Sequence, residues 1–271
     1  MIFKGNYIKK SFRLHYCVRK LFFVTAVKCF YELKKGGGYD IIILTSLRGN
    51  IMTDKKRGAL RYKPSEEYLS SEFYAKLRAI KYTGDDRSDV MLTALSQLGY
   101  HEGDCDRDMD GMNTEGSKNF VEYNRHFGKL DNDEGNGISY GYAWCCAFVT
   151  WTTDTTGIAR DTVPIDVTCT RLAALMDKKG CFEPSVAFGG SYIPRTADLI
   201  FFRHGENTHT SHIGLVLYCD GERVYTVEGN TGGAVRRRDY ALSDSSLYGF
   251  GTPKYSEDSA AAIDFSLYCK E

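Results

Sequence analysis

The feature of this chain that most constrains its fold is the segment 142–151, which reads Tyr-Ala-Trp-Cys-Cys-Ala-Phe-Val-Thr-Trp. This apolar run predicts a helix that begins at Cys145 and ends near Gly157. The N-terminus of a helix carries unpaired N–H groups and about half a positive charge, and both stabilise a thiolate relative to a thiol. Because the thiolate is the nucleophilic form, a cysteine in this position is predicted to be reactive.

Helical patterns precede strand patterns along the chain. An amphipathic stretch over 65–79 predicts one helix, an Asp85 or Asp86 cap followed by Gly99 predicts a second, and 172–179 predicts a further short one. The pattern then changes to strands, which are predicted at 199–202, 212–218, 223–228 and 234–240. Helices followed by an antiparallel sheet indicate an α+β fold.

A histidine and two polar residues stand at the ends of predicted strands. His212 begins an apolar strand that would hold its imidazole rigidly, and we expect it to act as a general base toward a thiolate. Glu228 and Asn230 are alternate residues of a strand and therefore share a face. One of the two is expected to accept a hydrogen bond from His212 and to fix its tautomer. Together with a reactive cysteine, these residues are the inventory of a cysteine hydrolase.

Two adjacent cysteines, Cys145 and Cys146, compete for the role of nucleophile. On a helix they point about 100° apart, so one of them can face a cleft, but spacing alone does not choose between them. The alternative is that both are ordinary buried thiols. The chain has 9 cysteines, an odd number without a C-x-x-C pair, so they predict neither a disulfide framework nor a zinc site.

Two stretches offer metal ligands. His204, His209 and His212 lie close together in the sequence and match a metal cluster, although polar neighbours favour loop positions for the first two. Residues 106–111 match the first half of an EF-hand calcium loop, but Ser117 stands where the bidentate glutamate is expected. We therefore expect no cofactor, with a calcium ion at 106–111 as the alternative to a solvated acidic loop.

Three short motifs carry a family resemblance. They read Trp-Cys-x-Ala-Phe-Val at 144–149, His-Ile-Gly at 212–214 and Glu-Gly-Asn at 228–230. Two supporting pieces are Leu-Ser-Gln-Leu-Gly-Tyr at 95–100 and Pro-Arg-Thr-Ala-Asp-Leu-Ile-Phe-Phe at 194–202. In this order the motifs resemble the CHAP family of cysteine, histidine-dependent amidohydrolases and peptidases. The family usually has glycine where this chain has Ala197, which is a mild departure.

The resemblance implies a papain-like fold and a role for each motif residue. It aligns Cys145 with the nucleophile and Cys146 with a small packed residue, and it implies His212 as the base. It favours Glu228 as the residue that orients the histidine, with Asn230 beside it. Members of the family are bacterial or phage-borne and mostly cut peptidoglycan, either as N-acetylmuramoyl-L-alanine amidases or as peptide endopeptidases, through a thioester acyl-enzyme.

Two alternatives to a peptidoglycan hydrolase remain open at the level of sequence. The first is an intracellular amidase that acts on a small peptide-like amide. The second is a domain that binds cell-wall peptide without cutting it. Nucleic acid is not an expected partner, because 35 Lys and Arg balance 35 Asp and Glu and leave no basic field. The sequence does not address oligomeric state.

The chain divides into four predicted segments. We interpret 1–51 as an over-extended start or a disordered stretch, 52–84 as a helical N-terminal segment, 85–255 as the catalytic domain and 256–271 as a short tail. No run approaches the roughly 18 apolar residues that a membrane span needs. Without a convincing signal peptide, we expect an enzyme of the bacterial cell wall that stays in the cytoplasm until release, as for a phage or mobile-element lysin.

Overall fold

The computed structural model describes residues 29–35, 38–44, 57–109, 116–131, 137–203 and 209–269. The chain forms two compact units, Met1–Lys55 and Lys56–Glu271. In the first unit, strand β1 (Cys29–Lys35) pairs antiparallel with strand β2 (Gly38–Leu44). The interpretation of 1–51 as an over-extended start or a disordered stretch stays a prediction.

The second unit combines six helices with a six-stranded sheet among its described residues. The helices are α1 (Glu66–Ser70), α2 (Glu72–Ala79), α3 (Asp86–Leu95), α4 (Glu122–Phe127), α5 (Cys145–Thr156) and α6 (Cys169–Lys178). The strands are β3 (Phe182–Pro184), β4 (Leu199–Phe202), β5 (His212–Cys219), β6 (Arg223–Glu228), β7 (Arg236–Ala241) and β8 (Leu247–Gly251). The sheet order is β3-β8-β4-β5-β6-β7, and every neighbouring pair is antiparallel. The predicted α+β class is confirmed.

Helix α5 is the central element of the core. All of its residues are buried, and it packs against α3 and β5. It begins at Cys145 and is capped after Thr156 by Gly157. Gly157 takes a left-handed conformation with φ of 90°, and its backbone N–H donates to carbonyls of the last turn. Glycine adopts this conformation without the steric cost that a Cβ would bring. The helix predicted from the apolar run is therefore confirmed.

The sheet is covered by apolar side chains on both faces, because successive residues of a strand point to opposite sides. Residues Ile213, Leu215 and Leu217 of β5 belong to the main cluster that contains α5. Val216 of β5 belongs to a second, smaller cluster on the other face, with Ile200, Phe202, Val224, Leu242, Leu247 and Phe250. Strand β5 is consequently held from both sides.

The helix predicted over 65–79 is two helices. Ser71 has an extended backbone (φ of −79°, ψ of 158°), which ends α1, and its hydroxyl accepts a hydrogen bond from the N–H of Tyr74. Serine competes for the backbone in this way and therefore caps helices well. Helix α3 begins after Asp85, whose carboxylate accepts from Ser88, as predicted, but it ends at Leu95 before the predicted Gly99.

Four strands were predicted close to their observed bounds, and two are additional. Strand β7 begins at Arg236 rather than at 234. Strand β3 has only three residues, too few to show a period. Strand β8 contains Gly249, where a Cβ would lie 2.5 Å from the ring of Phe182, so glycine permits the β3–β8 contact. Glycine also removes the alternating side-chain signal from which strands are predicted.

The segments that flank 85–255 contribute to the same core. Tyr68, Phe73 and Leu77 from the N-terminal side and Phe265 from the C-terminal side are buried members of the main cluster. The buried side chain of Gln97 contacts two of these residues: its Oε1 accepts from the hydroxyl of Tyr68 at 3.0 Å, and its Nε2 donates to the backbone carbonyl of Phe73 at 3.3 Å. The motif at 95–100 is therefore a structural part of the core. Within the described residues, no helix has both the length and the apolar character needed to cross a membrane.

A buried ion pair joins helix α3 to the start of the sheet. The guanidinium of Arg87 lies 2.7 Å from the carboxylate of Asp198, whose second oxygen accepts from the hydroxyl of Tyr192 at 2.7 Å. The preceding Ala197 has a φ of 65°, a conformation that glycine adopts more readily. This backbone conformation is consistent with the glycine that the CHAP family usually has at this position.

Candidate active site

Helix α5 presents Cys145 at its first position. The side chain is buried, and its Sγ lies 3.4 Å from the Sγ of Cys169, the first residue of α6. The indole Nε1 of the preceding Trp144 donates to a carboxylate oxygen of Glu102 at 2.8 Å, and both side chains are buried. A Cβ on Gly229 would lie within 2.9 Å of the Trp144 ring. The start of α5 is thus fixed by a hydrogen bond and by close packing.

Strands β5 and β6 bring His212 and Glu228 together. His212 begins β5 and Glu228 ends the neighbouring antiparallel strand β6. The two residues therefore meet at the same end of this strand pair. The ring Nε2 of His212 lies 2.9 Å from Oε2 of Glu228. Gly214, two residues after His212 on β5, makes room for the Glu228 side chain, because a Cβ there would lie 2.6 Å from Cγ of Glu228.

The carboxylate of Glu228 is fully buried and is held by two hydroxyls. Thr226, two residues earlier on β6, donates to Oε1. The hydroxyl of Tyr240 on β7 donates to Oε2 at 3.3 Å. Burial raises the pKa of Tyr240, so the phenol remains a donor at neutral pH. The ring of Phe202 packs against His212 with a centroid separation of 5.5 Å. These contacts fix the position of the carboxylate and of the imidazole.

The imidazole is strongly biased toward its charged form. Burial alone would lower the pKa of His212, but its interactions with Cys145 and Glu228 outweigh burial and raise that pKa to about 10. For Cys145, the contact with the Cys169 thiol and burial raise the pKa, while the interaction with His212 lowers it. The group that favours a thiolate at Cys145 is therefore the protonated imidazole of His212.

The side chains of the other two candidates make hydrogen bonds with different partners. Cys146 is buried, and its Sγ donates to the backbone carbonyl of Asp166 at 3.4 Å. Asn230 follows β6 with a φ of 56°, and its Nδ2 donates to Oδ1 of Asn119 at 3.1 Å. The structure therefore brings Cys145, His212 and Glu228 together and engages the Asn230 amide with Asn119.

The two stretches that offer metal ligands form no metal-binding cluster in the described part of the chain. There, no group of three or more His, Cys, Asp or Glu side chains is arranged to hold a metal ion. His204 lies outside the described residues, and His209 is exposed. Asp106 pairs with Lys129 at 2.6 Å. The end of the calcium-like stretch, Asp110 and Gly111, lies outside the described residues, so the solvated acidic loop stays a prediction and calcium its alternative.

The comparison with known families agrees with the motifs. Residues 137–230 match the family model of the CHAP domain. The match confirms the resemblance to the CHAP family over this segment. The matched segment contains Cys145, His212 and Glu228 and extends to Asn230. CHAP domains are cysteine- and histidine-dependent amidohydrolases or peptidases and typically act on peptidoglycan. The chain matches none of the curated proteins with which it was compared.

Three residues next to the CHAP motif residues were not predicted from the sequence. Thr226 precedes Glu228 by two positions, and the strand period alone would have placed it on the same face. Tyr240 reaches Glu228 from β7, which requires the register of the β6–β7 pair. Cys169 reaches Cys145 because two separate helices begin at the same place, and no local pattern carries that information.

Proposed function

We propose that this protein is a cysteine-dependent peptidoglycan hydrolase that cleaves an amide bond through a thioester acyl-enzyme. The observation that carries the proposal is the contact of 2.9 Å between His212 and Glu228 beside the Cys145 thiol, inside the segment that matches the CHAP domain. A cysteine at a helix N-terminus, an imidazole and a buried orienting carboxylate are the parts that acyl transfer needs.

Acylation begins with the thiolate of Cys145. Because Glu228 occupies Nε2 of His212, we infer that Nδ1 is the ring nitrogen that exchanges a proton with the thiol. The thiolate attacks the carbonyl carbon, and the oxyanion is stabilised by backbone N–H groups that include that of Cys145 at the start of α5. The C–N bond then breaks as the imidazolium gives its proton to the leaving amine.

Deacylation uses the same residues in the reverse sense. The now neutral imidazole of His212 takes a proton from water as the water attacks the thioester. The C–S bond breaks, the acid product leaves, and the thiolate–imidazolium pair is restored. Throughout both steps Glu228, held by Thr226 and Tyr240, keeps the imidazole in one orientation and stabilises its positive charge.

The substrate we propose is the bacterial cell wall. Two bonds fit this chemistry, namely the amide between muramic acid and the stem peptide and an amide within the peptides. Both present a carbonyl to a thiolate and release an amine. The experiment that distinguishes them is mass spectrometry of the soluble products after the full chain digests purified peptidoglycan, with and without added calcium.

The masses of the products identify which amide bond is cleaved. An amidase releases intact stem peptides from glycan strands, whereas an endopeptidase shortens or uncouples peptides that stay attached to muramic acid. We expect one of these product sets. If no bond is cut in either condition, the proposed substrate is wrong, and small peptide-like amides become the substrates to test.

A further inference from the structure

Two helices of this protein begin with a cysteine at the same place. Cys145 is the first residue of α5 and Cys169 is the first residue of α6, and their Sγ atoms are 3.4 Å apart. Their side chains are 7% and 8% exposed. Each sulfur therefore lies at the positive end of a helix dipole, which opposes the rise in thiol pKa that burial causes at both cysteines. The CHAP motif explains Cys145 but leaves Cys169 without a role.

We propose that Cys169 is a resolving cysteine, which converts Cys145 oxidised by a hydroperoxide into a reversible Cys145–Cys169 disulfide. The inference deepens the proposed function, because it rests on Cys145 as the nucleophile. The disulfide removes the thiolate and so switches the hydrolase off, and reduction restores it. Capture of the first oxidation product by a neighbouring thiol also prevents its irreversible oxidation to the sulfinic acid.

The chemistry balances with a hydroperoxide as the oxidant. The Cys145 thiolate attacks the peroxide, the O–O bond breaks, and a sulfenic acid forms, while the leaving hydroxide or alkoxide takes a proton from the His212 imidazolium and departs as water or an alcohol. The sulfur of Cys169 then attacks the sulfur of Cys145, the S–O bond breaks, and the hydroxyl leaves as water with the thiol proton. Two thiols are oxidised and one peroxide is reduced.

The geometry asks for little movement. A disulfide has a bond length of about 2.0 Å, so the two sulfurs, 3.4 Å apart, must approach by about 1.4 Å. Both side chains stand on the first residue of a helix, where the neighbouring backbone belongs to a loop on one side. A cavity of about 320 Å³ is lined in part by Thr170, the residue that follows Cys169, and by Ala173 and Thr210.

Cys146 is the competing partner, and the test must separate the two pairs. Cys146 is also buried and interacts with Cys169. Trypsin places Cys145 and Cys146 on one peptide, 130–160, and Cys169 on another, 161–171. A cross-link between these peptides therefore does not identify the partner in the wild-type chain. The variants Cys145→Ser and Cys146→Ser do, because each leaves one possible pair.

The experiment treats the full chain with hydrogen peroxide and then maps peptides without reduction. We expect the 130–160 to 161–171 cross-link in wild type and in Cys146→Ser, and its loss in Cys145→Ser. Peroxide should abolish cell-wall hydrolysis, and dithiothreitol should return it to the untreated level. For Cys169→Ala, activity is compared with that of the same variant before peroxide treatment. Dithiothreitol should not restore this activity, because Cys145 gains two or three oxygen atoms and becomes a sulfinic or sulfonic acid.

Two outcomes would overturn the inference. One is the absence of a cross-link in wild type when Cys145 is already oxidised to sulfinic acid. The other is a cross-link that persists in Cys145→Ser and disappears in Cys146→Ser. Because the cross-link is read by mass and needs no substrate, these failures are distinct from a chain that cuts no peptidoglycan, which would instead contradict the proposed function.

Discussion

At the scale of single residues, the site depends on one imidazole held between a sulfur and a carboxylate. Each of Cys145, His212 and Glu228 falls at the end of a predicted element, and the family resemblance selected Cys145 over Cys146. The residues alone left the choice between Glu228 and Asn230 open, and the resemblance favoured Glu228. Two alternate residues share a face only while the strand continues, and β6 ends at Glu228. Asn230 lies beyond that end in a left-handed conformation.

Replacement of Glu228 by glutamine tests the electrostatic role of the carboxylate. The raised pKa of His212, about 10, keeps the imidazolium through neutral pH and loses it as pH rises through that value. Glu228→Gln removes a cause of this rise, so the basic limb of the pH profile of kcat/KM should move to lower pH. We also expect activity to fall on the order of 10²- to 10⁴-fold. A basic limb that stays in place contradicts the assigned role.

Replacement of Cys169 by alanine should make Cys145 more reactive. The contact with the Cys169 thiol is the largest cause that raises the Cys145 pKa, so its removal should lower that pKa. The measurement is the rate of Cys145 alkylation by iodoacetamide against pH, followed by fragment-ion mass spectrometry. Cys219→Ala is the control, since Cys219 ends β5 at the opposite end from His212. Equal midpoints for both variants would show that the contact has no effect.

At the scale of elements, the site is made where β5, β6 and the start of α5 meet. Strand periodicity predicted β4 to β7 and helix-terminal residues predicted the bounds of α5. Two kinds of element were not predicted correctly from the sequence. The helix predicted over 65–79 is divided by the Ser71 cap, and strand β8 was missed because Gly249 removes the alternating side-chain pattern. The contact between β5 and β6 depends on a third kind of position, Gly214, whose missing side chain leaves space for Glu228.

An alanine at position 214 should impair the site without unfolding the sheet. Its Cβ would lie 2.6 Å from Cγ of Glu228 and would push the carboxylate away from His212. Because a displacement of about 1 Å costs on the order of 10²-fold in rate, we expect a loss of that size for Gly214→Ala. The measurements are kcat and the thermal midpoint Tm of the variant.

The matched control for this substitution is Gly221→Ala. Gly221 lies in the turn between β5 and β6 with a φ of 96° and open space around it. Alanine there should lower stability by about 1 to 2 kcal/mol and leave kcat unchanged. If Gly214→Ala lowers Tm and leaves kcat unchanged as the control does, Gly214 serves folding rather than the site.

At the scale of the whole unit, helices from the first half and strands from the second half share one core. The motif at 194–202 contributes Asp198, which pairs with Arg87 across a long sequence separation. A single sequence shows that such residues are charged but not that they meet. For the same reason, the burial of Tyr68 and Phe265 in the main cluster was not predicted from the sequence.

The Arg87–Asp198 pair should be a major determinant of stability. Asp198 is fully buried, and the Arg87 side chain is only 10% exposed. Asp198→Ala removes the buried carboxylate from the Arg87 guanidinium and leaves it only Glu257 and the Thr196 carbonyl, which should lower the free energy of unfolding by about 3 to 5 kcal/mol. Chemical denaturation of Asp198→Ala, Arg87→Met and the double variant measures the coupling. Additive effects, with a loss below about 1 kcal/mol for Asp198→Ala, would contradict this prediction.

The most direct test of the proposed mechanism compares peptidoglycan digestion by wild type, Cys145→Ser and Cys146→Ser, with products identified by mass spectrometry. We predict that Cys146→Ser yields the wild-type fragments and that Cys145→Ser loses activity by about a thousandfold or more, because the nucleophile is gone. Fragments released at the wild-type rate by Cys145→Ser, or lost only in Cys146→Ser, would contradict the assignment of Cys145 as the nucleophile.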